Sequence, residues 1–191
     1  VTRRLPQAER RVEILAAARR LFAERGFDAT TTREIAAAAG VSDALIYRHF
    51  ANKEDLLRGI VDDGIARFSA MAGNPPGEVT PRDLLEHLGT AFVTTCSEQL
   101  DLLVLLVSQQ HVLGDDTRFV EFVHRAATGL GHKLAPDDPT RGYLLARSFM
   151  GSLVAYVLLQ HRLGLDRIHH VDTHDYIHTL AAATAPTQDQ P

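Results

Sequence analysis

The chain contains no tryptophan and one cysteine, and only 6% of its residues are aromatic. A lone thiol, Cys96, excludes an internal disulfide framework and suits a reducing compartment, so a cytoplasmic protein is expected. No run approaches the roughly 20 uninterrupted apolar residues of a membrane span, and no membrane partner is expected. The N-terminus is Arg-rich and amphipathic, without the charged head and apolar run of a secretory signal. Glycine and proline fall at a few punctuation points, and no sequence repeat is present. What is abundant is alanine and leucine in helical spacing.

The overall charge of −4 argues against a polyanion partner, but the charge is divided unevenly. Residues 1–60 hold 11 Arg/Lys against 8 Asp/Glu, a net +3, whereas residues 73–191 hold 8 against 14, a net −6. A basic head on an acidic body fits a polyanion touched at one end only.

Ile14, Leu15, Ala18, Leu21 and Phe22 fall at helical spacing, and Gly26 stops that helix. "TTTREIAAAAG" reads as a short second helix, with Thr31 as N-cap, Glu34 completing a capping box, and Gly40 ending it. Ser42 is the expected cap of a third helix. A fourth follows from residue 53 to about 72, its first turn carrying Glu54 and Asp55 where the dipole favours negative charge. "GNPPGEVT" reads as a linker. Thr80 and Pro81 start a helix whose stripe is Leu84, Leu85, Leu88, Phe92 and Cys96. "LDLLVLLV" has strand-like apolar density but no strand to pair with, so it is assigned as a buried helix. Helices over 116–134, 139–162 and 173–183 complete the pattern. The expected fold is all-α, about nine helices, with a head (1–52) and a body (53–191) connected through helix 53–72.

Two short helices around a tight Gly turn, the second with a polar outer face, make a helix-turn-helix. Ala36, Val41 and Ile46 are placed to lock the pair. Asp43, Ala44, Tyr47 and Arg48 are left facing outward, a set able to touch base edges.

"GFDATTTREIAAAAGVSDALIYRHFANKEDLL" resembles the DNA-binding head of the tetracycline-repressor (TetR) family of bacterial transcription regulators, over about Arg11 to Leu57. Beyond residue 72 the resemblance is architectural only. It implies that Arg33 reaches a base from the groove edge, where its fork suits guanine. It implies base-reading positions at Asp43 and Ala44, next to the capping Ser42. Aspartate departs from the usual residues there: it either accepts from a cytosine N4 or stabilises the helix N-terminus. Leu45 departs from a frequent threonine, and Arg48 stands where an aromatic often sits. Thr31, Thr32, Tyr47, His49 and Lys53 match phosphate contacts, which fix register without reading sequence. Phe50 is assigned to the core.

In the body, helix 139–162 is apolar around much of its girth. The resemblance implies that it pairs with helix 173–183 and their twins as a dimer interface, which sets two recognition helices about 34 Å apart on a palindromic operator. The rival is a core helix in a monomer. Phe68, Leu88, Phe92, Leu106, Phe122, Phe149 and Met150 are candidates for an effector cavity, with Gln109, Gln110 and His111 as its polar contacts. His170, His174 and His178, near Asp172 and Asp175, have metal-ligand spacing, set against a solvated or dimer-edge stripe. The stripe is preferred, and neither metal nor cofactor is expected. The reading is a homodimeric, ligand-responsive repressor of double-stranded DNA, not an enzyme, released by a small apolar effector. Its rivals are an all-α enzyme with a vestigial head and a non-specific DNA-coating protein. The enzyme reading lacks any grouped nucleophile and base.

Overall fold

The computed structural model describes residues 7–71, 79–98, 100–109, 112, 114 and 116–186. Among them the fold is all-α: α1 (Gln7–Arg25), α2 (Thr32–Ala38), α3 (Asp43–His49), α4 (Lys53–Met71), α5 (Pro81–Glu98), α6 (Leu100–Ser108), α7 (Arg118–Leu134), α8 (Pro139–Val157) and α9 (Thr173–Thr184). The run 100–108 is helical, with Leu102, Leu103 and Leu105 buried, as its lack of a pairing strand required. Most of the expected linker lies outside the described residues.

Two compact units emerge, residues 1–66 with 101–116, and residues 67–100 with 117–191. This differs from a division at residue 52, because α4 as far as Ala66 and all but the first residue of α6 pack with the head. The cause is visible at Gly64, where an added Cβ would meet Leu102 Cδ2 at 2.8 Å.

In the first unit, α1 buries Ile14, Leu15, Ala18, Leu21 and Phe22. Gly26 ends it in the left-handed region (φ 87°), its N–H bonding Phe22 O at 2.9 Å. Phe27 then folds back on Phe22, ring centroids 5.0 Å apart. α4 adds Leu56, Leu57, Ile60 and Val61 to this core. Its start is held by a reciprocal pair: Asp55 N–H donates to Asn52 Oδ1 (2.7 Å), and Ala51 N–H donates to Asp55 Oδ2 (3.0 Å).

In the second unit, α7 and α8 form an antiparallel hairpin across "PDDP", where Asp138 caps α8 by accepting from Arg141 N–H at 2.9 Å. The backbones touch at Gly131 and Gly142, and a Cβ at Gly131 would lie 2.6 Å from Gly142 C. α7 starts at Arg118, two residues later than expected, and Thr117 at its N-cap makes no capping bond to the backbone. The helix expected over 139–162 is α-helical only to Val157 and continues as a π-helical turn, Leu158–Arg162. α5 carries its buried stripe on Leu84, Leu85, Val93 and Cys96, leaving Leu88 and Phe92 half-buried. Burial pushes the Cys96 thiol up to about 12, so it packs as a small hydrophobe. α9 is fastened to α8 by Tyr176, which stacks on Tyr156 at 4.3 Å and donates to Ser152 O at 2.9 Å.

α8 through its π turn (Pro139–Arg162) is long and apolar enough, by length and composition, to cross a membrane. Its apolar residues are instead split between two faces. Phe149, Leu153 and Val157 are buried within the unit, while Leu144 and Leu159 are exposed, along with Ser148, Gly151 and Ala155 between them.

Candidate nucleic-acid interface

The α2–α3 pair is built from the capping box outward. Thr31 Oγ1 accepts from Glu34 N–H (3.2 Å) and donates to Glu34 Oε2 (2.8 Å), which also accepts from Thr31 N–H (2.9 Å). These bonds, the backbone one foremost, hold the Glu34 carboxyl below the usual carboxylate range, with Arg25 at 3.1 Å adding charge. At the far end Gly40 takes φ 65°, and Val41 N–H reaches back to Ala36 O at 2.9 Å. The chain therefore reverses within three residues and restarts as α3. Ser42 occupies the N-cap position, but its side chain makes no capping bond, contrary to expectation.

The lock between the helices is Ile35, Ala36 and Ile46, all buried, with Val41 only half-buried. Ile35 is the residue that spacing alone passed over. It sits one position from Ala36, and the choice between them depends on which face meets α1. Phe50 is buried as expected, with the Arg11 guanidinium 5.1 Å from its ring centroid. His49 is half-buried with its ring tilted against Phe50 at 6.3 Å.

What remains outside is a compact polar set. Tyr47 is 55% exposed, and its hydroxyl lies 3.1 Å from Thr32 Oγ1, tying the outer faces of α2 and α3 together. Arg33, Asp43, Ala44 and Arg48 are exposed, and Leu45 is half-exposed. A guanidinium, a carboxylate and a phenol thus share one surface, the first two with no internal partner among the described residues. Such a surface can donate to guanine or phosphate and accept from cytosine or adenine amines.

Two of the expected phosphate contacts are engaged internally. The Thr31 hydroxyl serves the capping box. Lys53 turns its ammonium inward onto backbone carbonyls of the α1–α2 connection, which departs from the expectation that it points at DNA. Thr30, buried beneath this connection, was also missed. Its hydroxyl bonds Gly26 O at 2.8 Å, and nothing in a periodicity pattern marks a threonine whose task is to tie a loop.

The residues expected around an effector are only partly assembled. In the second unit Phe68 stacks on Phe92 at 5.7 Å, and Phe149 reaches α5 at Gly89. Leu88, Phe122 and Met150 are half-buried. Gln109 belongs to the first unit and bonds Ser108 Oγ at 3.2 Å. Gln110, His111 and the Leu106 side chain lie outside the described residues.

The histidine series is split by its own neighbours. His170, beyond the short 3-10 helix Leu165–Arg167, pairs with its Asp166 at 2.6 Å, whereas His178 turns to Glu86 at 3.0 Å and Arg82 at 2.8 Å. Only His174 and His178 share a helix face, their rings stacked at 5.9 Å. Among the described residues, the ligand atoms that do cluster are those of Asp172, His174 and Asp175, all exposed.

The sequence signature of the bacterial regulatory proteins of the tetR family matches residues 14–60. The HTH-type transcriptional repressor KstR2 of Mycobacterium tuberculosis is 49% identical over 114 residues, covering 58% of this chain and 56% of KstR2. The chain spans about half the length of the curated relatives it matches, KstR2 among them. The HTH-type transcriptional regulator HbdR of Aromatoleum sp. (strain CIB) aligns further, at 30% identity over 172 residues, 83% of this chain and 73% of HbdR. Among solved structures, FadR from Bacillus subtilis in complex with stearoyl-CoA has the same fold, with TM-score 0.72, 18% identity, and coverage of 91% of this chain and 97% of FadR. With residues 14–60 matching the family signature and the chain aligned over 172 residues with HbdR, this chain belongs to the TetR family of bacterial regulatory proteins.

Proposed function

We propose that this protein is a cytoplasmic transcriptional repressor that binds a palindromic operator as a homodimer and releases it when a small, largely apolar effector occupies the body. The observation that carries the reading is the α2–α3 pair. Its apolar side is sealed by Ile35, Ala36 and Ile46, while Arg33, Asp43, Tyr47 and Arg48 are gathered outside on a seven-residue helix and its neighbour. A helix that short has little reason to concentrate hydrogen-bonding groups unless its outer face meets a partner. The base-facing set is Arg33, Asp43 and Ala44. Thr32, Tyr47, Arg48 and His49 take phosphates.

Dimerisation is supported by the second face of α8. Leu144, Ser148, Gly151, Ala155 and Leu159 are exposed at spacings of three and four residues, and a Cβ at Gly151 would meet nothing within 4 Å. Leucines flanking small residues allow two helices to approach closely, and α9 completes the bundle. For the effector, Phe68, Leu88, Phe92, Phe122, Phe149 and Met150 supply an apolar lining. FadR, which shares the fold, holds stearoyl-CoA, so acyl thioesters are the first ligands to test. The relatives are regulators, which favours a non-enzymatic role.

Selection of bound duplexes from a random pool tests the whole reading. The expected product is a palindrome whose half-sites are about one DNA turn apart, bound at 1,000-fold or more, in rough terms, over random duplex. Equal retention of every sequence would instead indicate a coating protein.

A further inference from the structure

Lys53 is the first residue of α4, and its Nζ donates to Phe27 O at 2.8 Å, Thr30 O at 3.1 Å and Asp28 O at 3.3 Å. The ammonium also stands 4.3 Å from the centroid of the Phe27 ring. An ammonium has three N–H donors. Three converging carbonyls occupy all of them, which leaves none for a phosphate.

The acceptors belong to the connection between Gly26, where α1 ends, and Thr31, where α2 is capped. Carbonyls in such a connection have no helix to satisfy them and need partners from elsewhere. Two side chains supply what the loop lacks. Thr30 Oγ1 ties it to α1 through Gly26 O at 2.8 Å and Leu21 O at 3.3 Å. Lys53 ties its other side to the first turn of α4. Thr32 and Arg33 follow this segment directly, so a shift of the loop carries both with it.

We infer that Lys53 is a positioning residue: it fastens the 27–30 loop to the start of α4, so that α2 and its Arg33 are presented from α4 without any contact between the lysine and DNA. This rests on the operator-binding reading above and adds a mechanism to it.

The test uses the full chain with Lys53→Met, which keeps an apolar stem near Phe27 and removes the donors, and with Lys53→Arg. Amide exchange over residues 27–34 reads the clasp without DNA. It should rise roughly tenfold in Lys53→Met, the usual effect of losing a charge-assisted hydrogen bond, while α3 amides keep their protection. Operator affinity should fall several-fold, with the slope of log affinity against log salt unchanged. A phosphate contact would instead reduce that slope by about 0.9, and this result would overturn the inference. So would unchanged exchange, or faster exchange with unchanged operator affinity, the mark of a purely structural bond. Lys53→Arg sharpens the contrast. Its planar fork cannot serve three converging carbonyls, so it should rescue little, whereas at a phosphate it would rescue fully. Should the unaltered chain select no operator, the operator-binding reading fails by itself, and exchange alone decides whether the clasp exists.

Discussion

The α2–α3 pair and the α7–α8 pair are both helical hairpins, held together in opposite ways. The first is short and fixed by polar bonds at its ends: a capping box, a positive-φ glycine, and a tyrosine–threonine contact on the outer face. The second is long and fixed along its length by backbone contact at Gly131 and Gly142 and by buried Ala127, Leu134 and Ala146. Polar ends set direction and leave a face free to meet a partner. Apolar lengths set rigidity. In the proposed repressor, a reading head would need the first property and a body holding two heads at a fixed separation the second.

The body hairpin should be the easier of the two to break. At Gly131→Val the new side chain meets backbone, which cannot rotate away, so a loss of about 3 kcal/mol or more is expected. For a chain of this size that lowers the melting temperature by roughly 6–12 °C, read by calorimetry or circular dichroism. Gly129, two residues away, has nothing within 4 Å of a built Cβ. Gly129→Ala should therefore be neutral or raise stability by up to about 1 kcal/mol. Equal behaviour of the two would show that the helices do not meet where the backbone places them.

The head breaks at function before it breaks at stability. Arg33→Ala removes an exposed side chain with no internal partner among the described residues, so melting should be unaffected. Operator affinity should fall by about 1–3 kcal/mol, with relaxed preference at one base pair per half-site. Affinity lost equally on every sequence would reassign Arg33 to a phosphate.

Much of the head was legible because its determinants are local. Thr31 and Glu34 stand three residues apart, Gly40 ends α2, and the capping box and turn appear where the letters put them. The bonds of Lys53 were not legible, because its acceptors lie 23 to 26 residues earlier and no periodicity links a lysine to a loop. Ser42 shows the limit of cap rules: the right residue at the right position makes no side-chain capping bond. In the body, the helices were legible from their apolar spacing, but the π turn at Leu158–Arg162 and the Gly131–Gly142 approach were not. The second depends on how two helices cross, and one helix's sequence does not encode its partner's path. The split of Cys96, Val93 and Phe92 between buried and half-buried follows from the same cause.

The capping box gives a pH test of the polar design. The Glu34 carboxyl is held below its ordinary value in the folded chain, first by the Thr31 amide and then by the Thr31 hydroxyl. A depressed folded value means that the contribution to stability is fully present above the ordinary glutamate range. It is lost as pH falls through the lowered value. Thr31→Ala should cost about 1 kcal/mol near neutrality, and because it removes the hydroxyl but keeps the amide it should flatten the acid limb of the stability curve only in part. The Gly131→Val defect, having no titrating group, should be the same near neutrality and on the acid limb.

The smallest effect, and the sharpest on how the outer face works, belongs to Tyr47. Its hydroxyl lies 3.1 Å from Thr32 Oγ1 on an exposed surface, so Tyr47→Phe should change stability by about 0.5 kcal/mol or less. Operator affinity should fall by about 1 kcal/mol, to a similar degree on every duplex, as expected for a phosphate ligand. Thr32→Val supplies the other corner of a double-mutant cycle. If the two hydroxyls act as one unit that grips the same phosphate, the double variant should bind about as well as the weaker single one. Additive losses would mean that each helix holds the backbone separately, and that the contact seen between α2 and α3 has no part in presenting the reading surface.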